Sequence, residues 1–298
     1  MPHVHRDAEA QARLLAANHE ILGFDGVSFI INYFGEPAAL GVDMDWGGPE
    51  QLPAFRSHPW RRAEDAKVPE DLMSRAPIST YLETLRIAKR RHGDRMAVLG
   101  KVMGPFSMVQ AMCGIERVLI GLVEEPELIA RFLEVSVEVL VACANAQFEL
   151  GIDALAIGEG GAGANLLSPQ MYEQQLLPYH QDMISRIDGP TIMHICGDVT
   201  PRLDMFKRTG MACFNFDWAV APEAIVQRAG GTYRVMGNVS TTDLLRGTPA
   251  DIERQVIRNI EAGVDIVSPG CAISPKCPNA NLRALRDAVA RHAAGNTG

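Results

Sequence analysis

Seven short, β-rich apolar runs recur along the chain, each followed by a stretch of helical character. They cover residues 24–31 (FDGVSFII), 96–102 (MAVLGKV), 153–159 (DALAIGE), 190–196 (PTIMHIC), 211–218 (MACFNFDW), 232–239 (TYRVMGNV) and 264–271 (VDIVSPGC). The runs are near-continuously apolar rather than alternating, as parallel strands buried on both faces are. Helix-starting signals lie between them. Ser168-Pro169, Thr200-Pro201 and Ser274-Pro275 each offer an N-cap hydroxyl followed by proline. Thr248-Pro249-Ala250-Asp251 adds an acid in the first turn. Gly23, Gly151, Gly210 and Gly263 precede strands, where helices end. Strand, loop and helix repeated seven times favour a (β/α) barrel over an open, doubly wound sheet. No linker rich in Pro, Ser and Gly divides residues 1–298, so they read as one domain. Residues 35–77 are irregular, rich in proline, with Trp46 and Trp60. They are too long for a plain loop and are expected to form a lid or rim over one end.

Charge and composition remove several function classes. With 28 basic and 36 acidic residues the net charge is −8. No stripe of Lys and Arg exists to neutralise phosphates, which argues against a nucleic-acid or anionic-membrane partner. No apolar run reaches the roughly 18 residues of a membrane span. Residues 1–7 lack the charged-then-apolar order of a signal peptide. The six Cys (113, 143, 196, 213, 271, 277) do not form the pattern of a disulfide framework in a chain of 298 residues. A cytoplasmic protein with reduced thiols is expected, and each Cys then either packs or binds.

His194-Ile195-Cys196-Gly197 ends a predicted strand. Side chains two apart on a strand share a face, so His194 and Cys196 point together. At the C-terminal end of a barrel strand they enter the mouth, where barrel enzymes place their chemistry. Cys271 closes another strand in Ser268-Pro269-Gly270-Cys271. Two thiolates and an imidazole are ligands that Zn²⁺ selects, and three protein ligands with an exchangeable fourth position is the catalytic pattern. An isolated Cys most often packs in a core; three such residues at strand ends favour a metal. Asp217, ending the next strand, is a candidate fourth ligand or an orienter of His194. Glu159 is a candidate general acid or polar wall, ranked below Asp217.

Gly158-Glu159-Gly160-Gly161-Ala162-Gly163 satisfies G-x-G-x-x-G formally. Its third glycine does not open a helix, so a flexible loop at the mouth is favoured over a dinucleotide site. Cys113, Cys143 and Cys213 read as packing residues, and Cys277 as a spare thiol near the site. His3, His5, His58, His92 and His292 read as solvent-facing. His19 and His180 fall within predicted helices, without partners at ligand spacing.

The motif at 194–197, with Asn215-Phe216-Asp217-Trp218, Met236-Gly237-Asn238-Val239-Ser240 and GVDIVSPGC at 263–271, resembles the uroporphyrinogen decarboxylase superfamily. Within it the chain looks like the zinc-containing branch of methylcobamide:coenzyme M methyltransferases. The likeness runs from about residue 18 to the C-terminus and includes 41–47 (GVDMDWG) and 151–168 (GIDALAIGEGGAGANLLS). It implies a (β/α)8 TIM-type barrel with a metal at the base of a cleft. His194, Cys196 and Cys271 take the ligand positions, and Asp217 stands where an acidic ligand is expected.

The Arg-rich motif of the porphyrin decarboxylases (R-Q-A-G-R-Y) is absent, as is the first βα strand that carries it. Decarboxylation of uroporphyrinogen is therefore not expected, and the barrel is expected to lack its first strand. The open edge then needs cover from the N-terminal segment or from a second subunit in a homodimer. The resemblance implies a zinc-dependent methyltransferase whose co-substrate is a corrinoid (methylcobalamin-like), on a partner corrinoid protein or as free cobalamin. The second substrate is a small-molecule methyl donor or acceptor. In one direction a thiolate, its pKa lowered by the metal, takes the methyl group from methyl-cobalt(III) and leaves cobalt(I). In the other, cobalt(I) takes the methyl group of an ether polarised by the metal. The 35–77 rim and the 158–163 loop are candidates for the corrinoid contact. Two alternatives stay open: a metal-independent decarboxylase using Glu159 and Asp217 as acid and base, and a non-catalytic corrinoid- or porphyrin-binding barrel.

Overall fold

The computed structural model describes residues 4–28, 33–48 and 51–295. Every apolar run singled out above contributes a strand. In chain order these are β1 (Gly26–Ser28), the short β2 (Met44–Asp45) and β3 (Ala54–Phe55), then β4 (Ala97–Met103), β5 (Ala154–Gly158), β6 (Thr191–Ile195), β7 (Cys213–Phe216), β8 (Arg234–Val239) and β9 (Ile266–Pro269). Residues 29–31 of the expected first strand, and His3, lie outside the described residues.

Seven strands form one sheet in the order β1-β4-β5-β6-β7-β8-β9, all parallel, while β2 and β3 pair separately as an antiparallel ladder. Among the described residues β1 pairs only with β4 and β9 only with β8. The architecture is a curled parallel sheet inside a layer of helices, a (β/α) barrel short of one strand. Leu155, Ile157, Met193, Ile195, Phe214 and Phe216 are buried. This is why the strands read as continuous apolar runs.

Local signals set many helix starts. Ser168 Oγ accepts from Met171 N and caps Pro169–Gln175. Thr248 and Asp251 form a reciprocal capping box at the start of Pro249–Glu261. Thr200-Pro201 opens a 3₁₀ turn, Thr200–Arg202, that leads into Leu203–Phe206. Ser274-Pro275 does not start a helix. The Ser274 hydroxyl accepts from Lys276 N and its carbonyl from Cys277 N, a closed turn, and the helix begins at Asn279.

The 35–77 segment contains a short helix, Gly35–Ala39, the β2–β3 ladder and two 3₁₀ turns. Trp60 is buried against Phe132, and its backbone N–H reaches Met112 O. His5, expected in solvent, is only 3% exposed and stacks on Trp46 at 4.6 Å. Its solvent-facing assignment is corrected by that tertiary partner, which no local pattern announces. Among the described residues no single helix is long and apolar enough to cross a membrane.

Candidate metal centre

His194 lies within β6 and Cys196 directly follows it, so the pleat sends both side chains the same way. His194 Nε2 stands 3.2 Å from Cys196 Sγ. Cys271, two residues past β9, brings its Sγ to 3.7 Å from Cys196 Sγ. The three donor atoms lie within 4.8 Å of one another, and among the described residues no other such group occurs. Two sulfurs bound tetrahedrally at about 2.3 Å from Zn²⁺ would be about 3.8 Å apart. The spacing and donor chemistry therefore fit zinc.

The ring of His194 is aimed by a backbone group. Its Nδ1 donates to Asn215 O at 3.0 Å, because a carbonyl only accepts; in the neutral ring this leaves Nε2 with its lone pair toward the thiols. Asn215 faces His194 across the β6–β7 register, and its side-chain amide lies within hydrogen-bonding distance of Met236 O, Ser268 Oγ and Pro269 O. Orientation of the imidazole thus falls to Asn215 rather than Asp217.

Asp217 follows β7 and is buried beside the group. Its Oδ2 accepts from Gly197 N at 3.0 Å and its Oδ1 from Ala219 N at 2.9 Å. The carboxylate thereby ties the turn after Cys196 to the turn after β7. Gly197 takes a φ of 82°, a left-handed conformation that glycine adopts without strain.

Cys196 and Cys271 shift each other's acidity in opposite directions. Cys196 is held well above the ordinary thiol range by its hydrogen bond to Cys271 and by burial, with the charge of Asp217 adding to both. Cys271 is driven well below that range, chiefly by the bond from Cys196, against burial. Elsewhere burial pushes Cys113 and Cys213 up to about 12. Those thiols pack and are inert at neutral pH. Cys277 is buried in a second apolar cluster with Leu244 and Leu282, so it too is a packing residue.

Glu159 follows β5 and is 0% exposed. Oε1 accepts from Ser107 N and Oγ at 2.7 and 2.6 Å; Oε2 accepts from Phe106 N at 3.1 Å and meets His180 Nε2 at 3.0 Å. The carboxylate sits on the N-terminus of Pro105–Cys113, where helix amides and dipole favour an anion. His180 Nδ1 in turn meets Tyr172 Oη at 2.9 Å. His180 was visible in the sequence without a partner; the partner is the residue that follows the strand of its own strand–helix unit, 21 positions earlier. The 158–163 loop is pinned rather than flexible. Gly161 N donates to Ser107 Oγ, Gln110 Nε2 donates to Gly161 O, and buried Arg202 donates to Ala162 O.

A model of the uroporphyrinogen decarboxylase (URO-D) family matches residues 1–292. The chain belongs to this family.

Among its relatives, methylcobamide:CoM methyltransferase MtaA of Methanosarcina barkeri is 28% identical over 95% of this chain and 85% of its own. Methylcobamide:CoM methyltransferase MtbA of Methanosarcina mazei is 30% identical with the same coverage of both. A solved methyltransferase from Methanosarcina mazei superposes with a TM-score of 0.94 at 28% identity, covering 98% of this chain and 88% of that one. The fold and the family expected from the residue motifs are thus found.

Proposed function

We propose that the chain is a zinc-dependent methyltransferase that moves a methyl group between a corrinoid and a thiol. The corrinoid is carried on a partner protein or arrives as free cobalamin. The observation that carries this reading is the donor triangle of His194, Cys196 and Cys271 on the C-terminal rim of a sheet shared with a solved methyltransferase, in a chain related to methylcobamide:CoM methyltransferases. These three residues would hold the ion. When bound, it supplies Lewis acidity that lowers the pKa of a substrate thiol.

The chain's own groups prepare the site. Asn215 fixes the His194 tautomer, and Cys196 and Cys271 bring their sulfurs to 3.7 Å of each other. Asp217 braces both turns and is the candidate fourth ligand. In the transfer, a substrate thiolate forms the S–C bond as the Co–C bond breaks, and the electron pair stays on cobalt. The 35–77 segment and the 158–163 loop are the candidate corrinoid rim. A methoxylated substrate would run the transfer toward cobalt. The metal-free decarboxylase has less support, because the oxygens of Glu159 are already engaged by Phe106, Ser107 and His180.

The test combines zinc-loaded protein, methylcobalamin and a panel of small thiols, read by the loss of the methyl-cobalt absorbance. Zinc-dependent demethylation with a thioether product is expected. Stoichiometric zinc without transfer to any thiol, alongside methyl transfer from methoxyarenes to cobalt(I), would reverse the direction. Absence of bound zinc would remove the reading.

A further inference from the structure

The loops after β7 and β8 border a cavity of about 400 Å³ that the donor triangle leaves unused. Strands β7 and β8 stand between β6, which carries His194, and β9, which leads to Cys271. The cavity therefore flanks the triangle on the same rim of the sheet. The two adjoin through backbone: a β-carbon built on Gly270 would lie 2.8 Å from Trp218 N and 3.4 Å from Asn238 O. A volume of this size suits a small ligand or one arm of a larger one.

Trp218, Val220 and Pro222 give the cavity an apolar wall, with Trp218 43% exposed. Asn238, Ser240 and Arg258 supply polar groups. Asn238 is held by its amide nitrogen, which donates to Asp217 O and Val220 O; its Oδ1 has no partner among the described residues. Ser240 Oγ accepts from Asp243 N, which leaves its own proton free to give. Arg258 engages Glu223 through Nε and Nη2, and among the described residues Nη1 has no partner. Charge discriminates little here, because Arg258 is already neutralised by Glu223 and the Asp243 carboxylate accepts from Gln255 Nε2.

An open carbonyl oxygen beside open donors is the complement of a primary amide, whose N–H groups donate and whose carbonyl accepts. A corrin ring is edged with acetamide and propionamide side chains set among methyl groups. For a methyl group to pass between cobalt and a thiol at the triangle, the ring must lie across the mouth, and its edge then covers the neighbouring loops. The cobalt–methyl axis alone leaves the ring free to rotate. One anchored side chain away from that axis removes the freedom.

We propose that the cavity bounded by Trp218, Asn238, Ser240 and Arg258 is a subsite for an amide side chain of the corrin rim. This deepens the methyl-transfer reading above and rests on it. Asn238 Oδ1 takes the amide N–H, Ser240 or Arg258 gives to its carbonyl, and Trp218 covers the alkyl stem.

The experiment uses zinc-loaded full-length protein and equilibrium dialysis read by corrin absorbance. The ligands are methylcobinamide, which has the amides and no nucleotide, and its analogue with methyl esters in place of the amides. The ester keeps the carbonyls and loses the N–H donors. The unaltered protein is expected to bind methylcobinamide about tenfold more tightly than the ester, as one lost hydrogen bond implies. Asn238→Ala should abolish that preference. Trp218→Ala should raise the Kd of both ligands by about tenfold with zinc content unchanged, and it keeps the test open if Asn238→Ala does not fold. Equal affinity for the two ligands in the unaltered protein overturns the subsite and leaves methyl transfer standing. So does an unmoved Kd in Trp218→Ala, or a preference that persists in folded Asn238→Ala. If the unaltered protein binds neither ligand and demethylates neither with any thiol, the methyl-transfer reading falls and the subsite falls with it.

Discussion

His180 Nε2 stands 3.0 Å from Glu159 Oε2, with both side chains closed to solvent. The contact joins the helix Leu177–Ser185 to the loop after β5, next to the donor triangle. Since the same carboxylate also accepts from Phe106 and Ser107, its removal strands several buried donors at once. Glu159→Ala should therefore cost roughly 3–5 kcal/mol of stability, and Glu159→Gln less than half of that. Urea unfolding midpoints at constant slope would check it; an Ala variant within experimental error of the parent would contradict the account.

Metal affinity should rank the residues around the thiols. Cys196→Ser and Cys271→Ser each remove a soft ligand and should lose zinc almost completely at micromolar protein. Asp217→Ala frees the amides of Gly197 and Ala219 and loosens the turn that aims Cys196. Its expected cost is roughly 10–100-fold in affinity. Competition against a chromophoric chelator measures all three, and an Asp217 effect as large as that of the cysteines would identify its carboxylate as a ligand.

Glu36 should make stability fall as pH rises. It is buried, neither carboxyl oxygen makes a well-formed hydrogen bond among the described residues, and burial pushes its pKa up to about 8 from 4.5 against the backbone amides of Glu36 and Met103 and the charge of Lys101. Below 4.5 both folded and unfolded forms are protonated and nothing is lost. Between 4.5 and 8 the unfolded chain releases a proton that the folded one retains, so stability declines and the loss is complete above 8. At about 1.4 kcal/mol per unit, the decline is on the order of 5 kcal/mol. Glu36→Gln should flatten it, as thermal midpoints from pH 5 to 9 would reveal. An identical slope in both proteins would contradict the burial argument.

Gly158→Ala tests the crowding beside the thiols. The added methyl would meet the Tyr33 ring at 2.9 Å and Lys101 Nζ at 3.1 Å. Overpacking of this kind costs about 1–3 kcal/mol, and turnover should fall further than thermal stability accounts for because Gly158 is level with His194 on β6. A variant with normal kcat and normal melting would show that the space is slack.

The strands were legible because a parallel strand buried on both faces has little choice but to be apolar, and Met193, Ile195, Phe214 and Phe216 carry that signature. His194 and Cys196 were legible for a simpler reason: a spacing of two on a strand is a shared direction. Asn215 was invisible as the orienter, since the atom it offers His194 is a backbone oxygen that every residue has. The Glu159–His180 contact spans 21 residues and depends on how a helix seats, which periodicity does not encode. Lys101 was readable as a break in an apolar run, but a break names no partner. The turn at Ser274 shows the opposite limit, because a hydroxyl before proline serves a turn as well as a helix cap.

Among the described residues Cys271 follows β9, a strand paired along one side, whereas His194 lies in β6 and Cys196 just after it, three strands inward. An ion shared by these residues would fasten the seam of an incomplete barrel to its middle. Such a ligand stabilises by mass action, by about 4 kcal/mol at a thousandfold excess over its Kd. That contribution would be concentrated where the sheet has fewest neighbours. Chelation should then be felt as faster amide exchange in β8 and β9 while β4 and β5 stay protected. If the ion is bound, metal supply would then set how firmly the last quarter of the chain stays folded.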